Sequence, residues 1–379
     1  MIPPVAEKLR ARSLVTGAVG TILCLLFAWS NTGRFLQAYL FAWWFFLGIS
    51  LGALAVLMMY RLTGGPWGPL VEPALAAAAQ GVSLMGLLFL PIALLHGDIY
   101  PWVHPSANDA AVAHAKSWYL NTPFFLIRAA IYFTAWTGLA WLMRKAPLVP
   151  HASPDGRNLR RISIAGLIVY ALSVSFASVD WVMSLTPAWY SSAFGLLIMV
   201  REMLSGFAFA VLAATFSFSD SKESDKQHFH DLGNLLLVFV MTWAYLAYTQ
   251  YLIIWAENLP DEISWYVPRT LTDWKWIAFA LITFHFALPL LALLFRAIKR
   301  SAQALAWLAG SLLVAHWADA YWLVLPSVQT RGFSPHLADL AASLGIGGFW
   351  FAWVLRCGVN DNPTTWSIRR PSVGEVEHA

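Results

Sequence analysis

The chain has 379 residues, of which 59% are hydrophobic and only 12% are charged, and its mean hydropathy is +0.60. A soluble fold of this length could not hide so much apolar surface behind so few charged side chains. The composition therefore indicates a protein of the lipid bilayer. The formal net charge of +4 and the pI near 9.1 do not require a nucleic-acid partner, and we expect none, because basic residues of membrane proteins collect in cytoplasmic loops.

Ten apolar segments are long enough to cross a bilayer, which requires about 20 residues of helix per crossing. Numbered in chain order, the predicted helices 1 to 10 lie near residues 14–30, 35–60, 74–95, 122–143, 161–180, 192–216, 232–256, 274–296, 303–325 and 338–358. The first segment ends in bulky residues and not in the small residues of a signal-peptide cleavage site, so we expect it to stay as helix 1. The sequence therefore predicts an all-α membrane protein with a single integral membrane domain over residues 1–379.

Lysine and arginine are distributed unevenly between the two sets of connections. With the N-terminus on the cytoplasmic side, 17 of the 24 basic residues lie in inner segments, five lie in outer segments, and Arg128 and Arg201 lie within helices. Cytoplasmic loops carry the excess of basic residues in membrane proteins. The asymmetry predicts a multi-pass protein with both termini in the cytoplasm.

The two cysteines, Cys24 and Cys357, lie in the first and last apolar segments. Neither belongs to a CxxC or CxxCH motif or to a cluster-binding spacing. We therefore expect no covalently bound haem, no iron–sulfur cluster and no metal site in this chain.

Three predicted helices place ionisable side chains near the middle of the bilayer. Arg201 and Glu202 lie about 15 Å along helix 6 at 1.5 Å per residue, and His285 of helix 8 and His316 of helix 9 lie at a similar depth. An ionisable side chain at this depth costs about 2.5–3.5 kcal/mol on insertion scales, so it is usually paired, turned inward or functional.

Further polar residues continue from this level toward the outer face. Asp319 follows His316 by three residues and shares its face of helix 9. On helix 7, Gln250 lies seven residues from both Trp243 and Glu257, which places the three along one stripe. The candidates for a proton path are therefore Arg201, Glu202, Gln250, His285, His316 and Asp319.

Other interpretations of these residues stay open. They could be satisfied pairs in a packed bundle, because buried polar groups are normally hydrogen-bonded. His285 and His316 could ligate a b-type haem, although two histidines alone are a weak signal. A secondary transporter or channel for a small solute would use similar residues, typically with broken helices at the bilayer midplane.

The first half of the chain contains a smaller polar set near its outer boundary. His96 and Asp98 mark the outer end of helix 3, and Arg128 lies just inside helix 4 with Tyr132 one turn further in. These four residues are the candidates for binding a quinone headgroup.

The stretch DWVMSLTPAWYSS (180–192) joins helices 5 and 6 at the outer face. Its tryptophans suit the headgroup layer, where an aromatic ring is half wet and half apolar. We expect Asp180, Trp181 and Trp189, together with Glu257 at the end of helix 7, to contact a partner at this face.

Five stretches of the chain together resemble a known family. They are RLTGGPWG (61–68), VDWVMSLTPAWYSS (179–192), WAYLAYTQYLIIWAENLPDE (243–262), HFALPL (285–290) and DAYWLVLP (319–326). In this order they are similar to the ActF-type integral membrane subunit of bacterial alternative complex III, within the polysulfide-reductase-type membrane subunit family. The resemblance extends from helix 2 to helix 9.

The resemblance implies two four-helix bundles, helices 2–5 over residues 35–180 and helices 6–9 over residues 192–325, flanked by helices 1 and 10. It implies one subunit of a quinol:electron-acceptor oxidoreductase in the bacterial inner membrane, which passes electrons to a cytochrome c or a terminal oxidase. Its partners would be haem c subunits, an iron–sulfur subunit and a homologous membrane subunit, which would carry the haems and clusters.

Within that complex the chain would have a structural role, with quinone binding or proton conduction as its candidate activities. Quinone is the one ligand expected to reach it, and no complete redox site is expected in this chain alone. The family motifs include Asp180, Trp181, Gln250, Glu257, His285 and Asp319. Arg201, Glu202 and His316 depart from the family pattern, so their place in a proton path is inferred from these residues alone.

Overall fold

The computed structural model describes residues 4–105, 110–145, 154–217, 223–329 and 332–361. Within these ranges the chain is helical and contains no strand. Ten helices are long and apolar enough to cross a membrane, which confirms the predicted all-α, ten-helix fold. They are α1 Pro4–Ser30, α2 Thr32–Thr63, α3 Gly68–Leu94, α4 Thr122–Lys145, α5 Pro154–Trp181, α6 Phe194–Ser217, α7 Glu223–Glu257, α8 Trp274–Leu294, α9 Ala302–Val328 and α10 Leu337–Asp361.

Short helical turns lie in the connections between these helices. They are His96–Ile99, Ala110–Ala115, Met183–Leu185, Pro260–Ile263, Val267–Thr270 and Arg296–Lys299. We call the end of the molecule with the α5–α6 connection the Asp180 end. The opposite end, with the α2–α3 connection, is the Arg61 end.

Helix α2 forms the centre of the molecule and is buried along nearly its whole length. It packs against α3, α5, α6, α9 and α10. Its closest neighbour is α6, because a Cβ on Gly52 would lie 1.6 Å from the Glu202 carbonyl oxygen and one on Gly206 would lie 2.2 Å from the Ala53 nitrogen. Small residues allow such close approach of membrane helices.

Two four-helix bundles meet at this α2–α6 contact. In the first, α2 packs on α3 and α5, and α4 lies against both α3 and α5. In the second, α6 packs on α7 and α9, and α8 lies against both α7 and α9. The flanking helices α1 and α10 pack on each other, and both contact α2.

Two of the ten helices are interrupted, and in each of them an interruption lies shortly before a proline. Helix α3 consists of the pieces Gly68–Ala79, Gly81–Leu87 and Leu90–Leu94, the last of which contains Pro91. Helix α8 contains a π-helical stretch, Ile282–Ala287, directly before Leu288 and Pro289. Proline has no N–H and its ring clashes with the carbonyl four residues earlier, which in α8 is the carbonyl of His285.

Candidate functional site

Glu202 lies in the interior of the molecule at the junction of the two bundles. Its Oε2 accepts a hydrogen bond of 2.9 Å from the Tyr170 hydroxyl of α5. A Cβ on Gly48 of α2 would lie 3.5 Å from Glu202 Cγ and 3.8 Å from His316 Nε2. The missing side chain at position 48 therefore lets an acid of α6 and a histidine of α9 approach the same point of α2.

His285 and His316 continue the cluster from that point into the second bundle. Their ring centroids are 6.1 Å apart. Trp243 of α7 packs on the His285 ring at 4.2 Å, and Phe45 of α2 lies 5.6 Å from the His316 ring. Both histidines are buried. The π-helical stretch in α8 carries His285, and such stretches frequently occur at functional sites.

Asp319 is shared between two basic side chains. Its Oδ2 accepts a hydrogen bond from Arg201 Nε, which forms a buried ion pair between α6 and α9. The same oxygen lies 4.0 Å from His285 Nδ1. At that separation a small movement or one bridging water molecule would complete a second hydrogen bond.

Several buried polar atoms of this cluster have no hydrogen-bond partner among the described residues. They are Arg201 Nη2, Glu202 Oε1, His316 Nδ1 and both ring nitrogens of His285. Buried polar groups are usually hydrogen-bonded to protein or to ordered water. Ordered water molecules could therefore hydrogen-bond to these atoms and link the side chains.

The polar cluster extends toward the Asp180 end through α9 and α7. Arg269, which is fully buried, donates from Nη2 to the Leu323 carbonyl, one turn beyond Asp319. Burial raises the pKa of the nearby Tyr266 to about 12, an effect opposed by the Gln250 amide and the Arg269 charge.

The first bundle contains a separate, closed polar cluster. Arg128 forms a bidentate pair with Asp180, at 2.8 Å from Nε and 2.7 Å from Nη2. The Tyr132 hydroxyl donates to Asp180 Oδ2 at 2.9 Å. Burial, followed by the Asp180 charge, raises the pKa of both Tyr100 and Tyr119 in the adjoining connection. Two opposite charges that satisfy each other in this way form a structural link between α4 and α5.

The four residues predicted for a quinone headgroup do not converge on one cavity. Both ring nitrogens of His96 are engaged, with the Ala93 carbonyl and the Thr122 hydroxyl, each at 2.9 Å. Asp98 is exposed. Since Arg128 and Tyr132 bind Asp180, this set does not fit a quinone headgroup.

The predicted partner contact at the Asp180 end needs correction for three of its four residues. Asp180 and Trp181 have no exposed surface, and Trp189 is 1% exposed. Trp181 packs at 5.0 Å on Trp43 of α2, and Trp189 stacks at 5.0 Å on Trp265. The polar and aromatic stretch therefore closes the ends of both bundles, and only Glu257 is exposed as expected.

Two participants in these clusters, Tyr170 and Arg269, were not among the predicted site residues, and a third, Asp180, was predicted for a different role. Tyr170 is one of several hydroxyl residues in the apolar run of α5, and its partner Glu202 is on another helix. Arg269 lies in a connection, where a basic residue gives no signal of burial. Asp180 was expected at the surface, whereas it pairs with Arg128.

The fold and this site define a multi-pass helical membrane protein with a chain of buried ionisable groups through its second bundle. Comparison of the sequence with models of known protein families gives no match, and comparison with curated proteins gives none.

Proposed function

We propose that this chain is a membrane subunit of a respiratory quinol:electron-acceptor oxidoreductase of the alternative complex III type, and that its second bundle transfers protons. The observation that supports proton transfer is the row of neighbouring buried acid–base side chains from Tyr170 to Asp319. The quinol oxidoreductase part is supported by the five sequence stretches that resemble the ActF-type subunit. Haems and iron–sulfur clusters would lie on partner subunits in the bacterial inner membrane.

Proton transfer would use the side chains in their spatial order. Glu202 takes up a proton and passes it to His316, whose ring lies 6.1 Å from the ring of His285. His285, once protonated, attracts the Asp319 carboxylate, which is 4.0 Å away and shared with Arg201. Chains of Asp, Glu and His inside membranes are typical of proton relays, and an imidazole can bind and release protons near neutral pH.

A solute transporter is the weaker alternative. Transporters commonly have broken helices at equivalent positions of two repeats, with the substrate bound between them. Here the interruptions are in α3 and α8, whereas the helices at the equivalent positions of the other bundle, α7 and α4, are continuous. This arrangement does not favour alternating access between matched halves.

The proton-transfer proposal predicts a specific loss in the assembled complex. Glu202→Gln and His316→Gln remove one titratable group each and should lower the rate of proton transfer across the membrane during quinol oxidation at least tenfold, measured in proteoliposomes with a trapped pH-sensitive dye. Glu257→Gln, which neutralises an exposed acid at the Asp180 end, is the matched control. Unchanged proton transfer and turnover in both buried variants would refute the relay.

A separate experiment tests whether this chain belongs to a respiratory complex. The tagged native chain, purified in a mild detergent, should bring haem-bearing and iron–sulfur subunits with it, identified by visible absorbance and mass spectrometry. A colourless protein that purifies without partners would contradict the oxidoreductase proposal. Haem absorbance in the solitary chain would instead indicate ligation by His285 and His316.

A further inference from the structure

An open apolar groove runs along the outer surface of the first bundle, between α3 and α4. Its volume is about 810 Å³, and Gly86, Phe89, Leu126, Phe133, Gly138 and Trp141 line it. The groove forms where α3 is interrupted before Pro91. A Cβ on Gly138 would meet no atom within 4 Å, so the groove is open at this position.

The dimensions of the groove distinguish between two kinds of occupant. Leu126 and Trp141 are 15 residues apart in α4 and both line it, so its length is about 22 Å at 1.5 Å per residue and its mean width is roughly 6 Å. A helix with its side chains is about 10–12 Å across, so it would lie over the groove without filling it. Carbon atoms of hydrocarbon chains pack at about 4 Å, so one or two such chains fit.

The Arg61 end of the groove carries a positive charge. Lys145 Nζ lies 3.9 Å from the centroid of the Trp141 ring, and its side chain is exposed at the last residue before the α4–α5 connection. A lysine at the end of a membrane helix lies at headgroup level, where it attracts anionic lipid. A neutral hydrocarbon ligand would have no use for this charge.

We propose that the α3–α4 groove binds the acyl chains of an anionic phospholipid whose phosphate contacts Lys145. This site is independent of the proton path and does not rest on the proposed function. Three small residues of α4 that are spaced four apart, Ala130, Thr134 and Gly138, give the acyl chains close access to the α4 backbone.

Native mass spectrometry of the delipidated full chain in detergent tests this proposal. The probes are dioleoyl phosphatidylglycerol and dioleoyl phosphatidylcholine, which share acyl chains and differ in headgroup charge. The wild-type chain should bind phosphatidylglycerol about fivefold more tightly, the preference expected from one lysine at the membrane surface. Lys145→Gln should abolish the preference, while Lys275→Gln, a lysine near Trp276 at the other end, should retain it.

Filling the groove tests the acyl-chain part. Gly138→Leu should weaken binding of both lipids at least fivefold, whereas Gly310→Leu, at another position where a Cβ has open space, should not. Equal lipid binding by all variants would overturn the proposal. If Gly138→Leu loses a co-purifying membrane protein while lipid binding is unchanged, the groove binds a partner helix. If a long-chain quinone binds more tightly than either lipid, and Lys145→Gln does not change that binding, the groove binds quinone.

Discussion

At the residue scale, two buried arginine–aspartate pairs have similar chemistry and different surroundings. Asp180 accepts two bonds from Arg128 and a third from the Tyr132 hydroxyl. Asp319 accepts from Arg201 Nε, leaves Arg201 Nη2 without a partner among the described residues, and lies 4.0 Å from His285. A saturated pair is held in one geometry, whereas an acid between two basic groups can exchange its partner.

The fully hydrogen-bonded Arg128–Asp180 pair predicts that replacing Asp180 will strongly lower the free energy of unfolding. Asp180→Ala leaves the Arg128 guanidinium buried without its carboxylate, which should cost about 3–5 kcal/mol and lower the thermal unfolding midpoint in detergent. Asp98→Ala, an exposed acid at the same end, serves as the control. If the two variants unfold at the same temperature, the Arg128–Asp180 pair does not hold α4 and α5 together. The double replacement Arg128→Met with Asp180→Leu should recover part of the loss.

At the scale of elements, the α2–α6 backbone contact and the π-helical stretch of α8 have separate roles. The α2–α6 crossing depends on Gly52 and Gly206, which bring the two backbones into direct contact and set the positions of Gly48 and Glu202 on either side of it. The π-helical stretch of α8 places His285 in the interior beside Trp243. A packed crossing therefore fixes one side of the proposed proton path, and an interrupted helix supplies the other.

The close α2–α6 crossing predicts that even one added methyl group at Gly206 will destabilise the folded protein. Gly206→Ala would place Cβ 2.2 Å from the Ala53 nitrogen, so the helices must separate, at a cost of about 1–3 kcal/mol or more. We expect a lower yield of folded protein and a lower unfolding midpoint by detergent thermal scanning. Gly310→Ala, in a helix position with open space, should behave like the wild type; similar losses in both would contradict the role of the crossing.

At the scale of the whole molecule, charge is concentrated at one end of the bundle. Basic residues such as Arg61, Arg144 and Lys145 lie at the Arg61 end, and the sequence predicts an inner location for 17 of the 24 basic residues. The buried ion pair between Arg61 and Glu72 joins α2 to α3 there. This distribution favours an orientation with the Arg61 end in the cytoplasm.

Cysteine labelling checks the orientation directly. Asp98→Cys lies exposed near the Asp180 end, and Asn158→Cys lies exposed at the start of α5 at the Arg61 end. A membrane-impermeant maleimide should label Asp98→Cys in intact spheroplasts and Asn158→Cys only after permeabilisation. The native Cys24 and Cys357 are buried and provide the background. The reverse labelling pattern would place both termini outside.

The sequence by itself determined the number of helices and the depth of their polar residues. Apolar length is a local property, and the rise per residue of a helix is fixed, so Glu202, His285 and His316 could be placed at one level before any packing was known. The structure then brings these three side chains together around Gly48 and Trp243.

Only the tertiary structure decided which side chains meet. The rotation of each helix about its axis and the neighbour it packs against depend on the whole bundle, and one-dimensional periodicity does not specify them. Trp181 was therefore expected at the surface and is buried against Trp43, and Asp180 was expected to meet a partner chain and instead binds Arg128. Depth follows from distance along one helix, whereas contact requires the relative rotation of two.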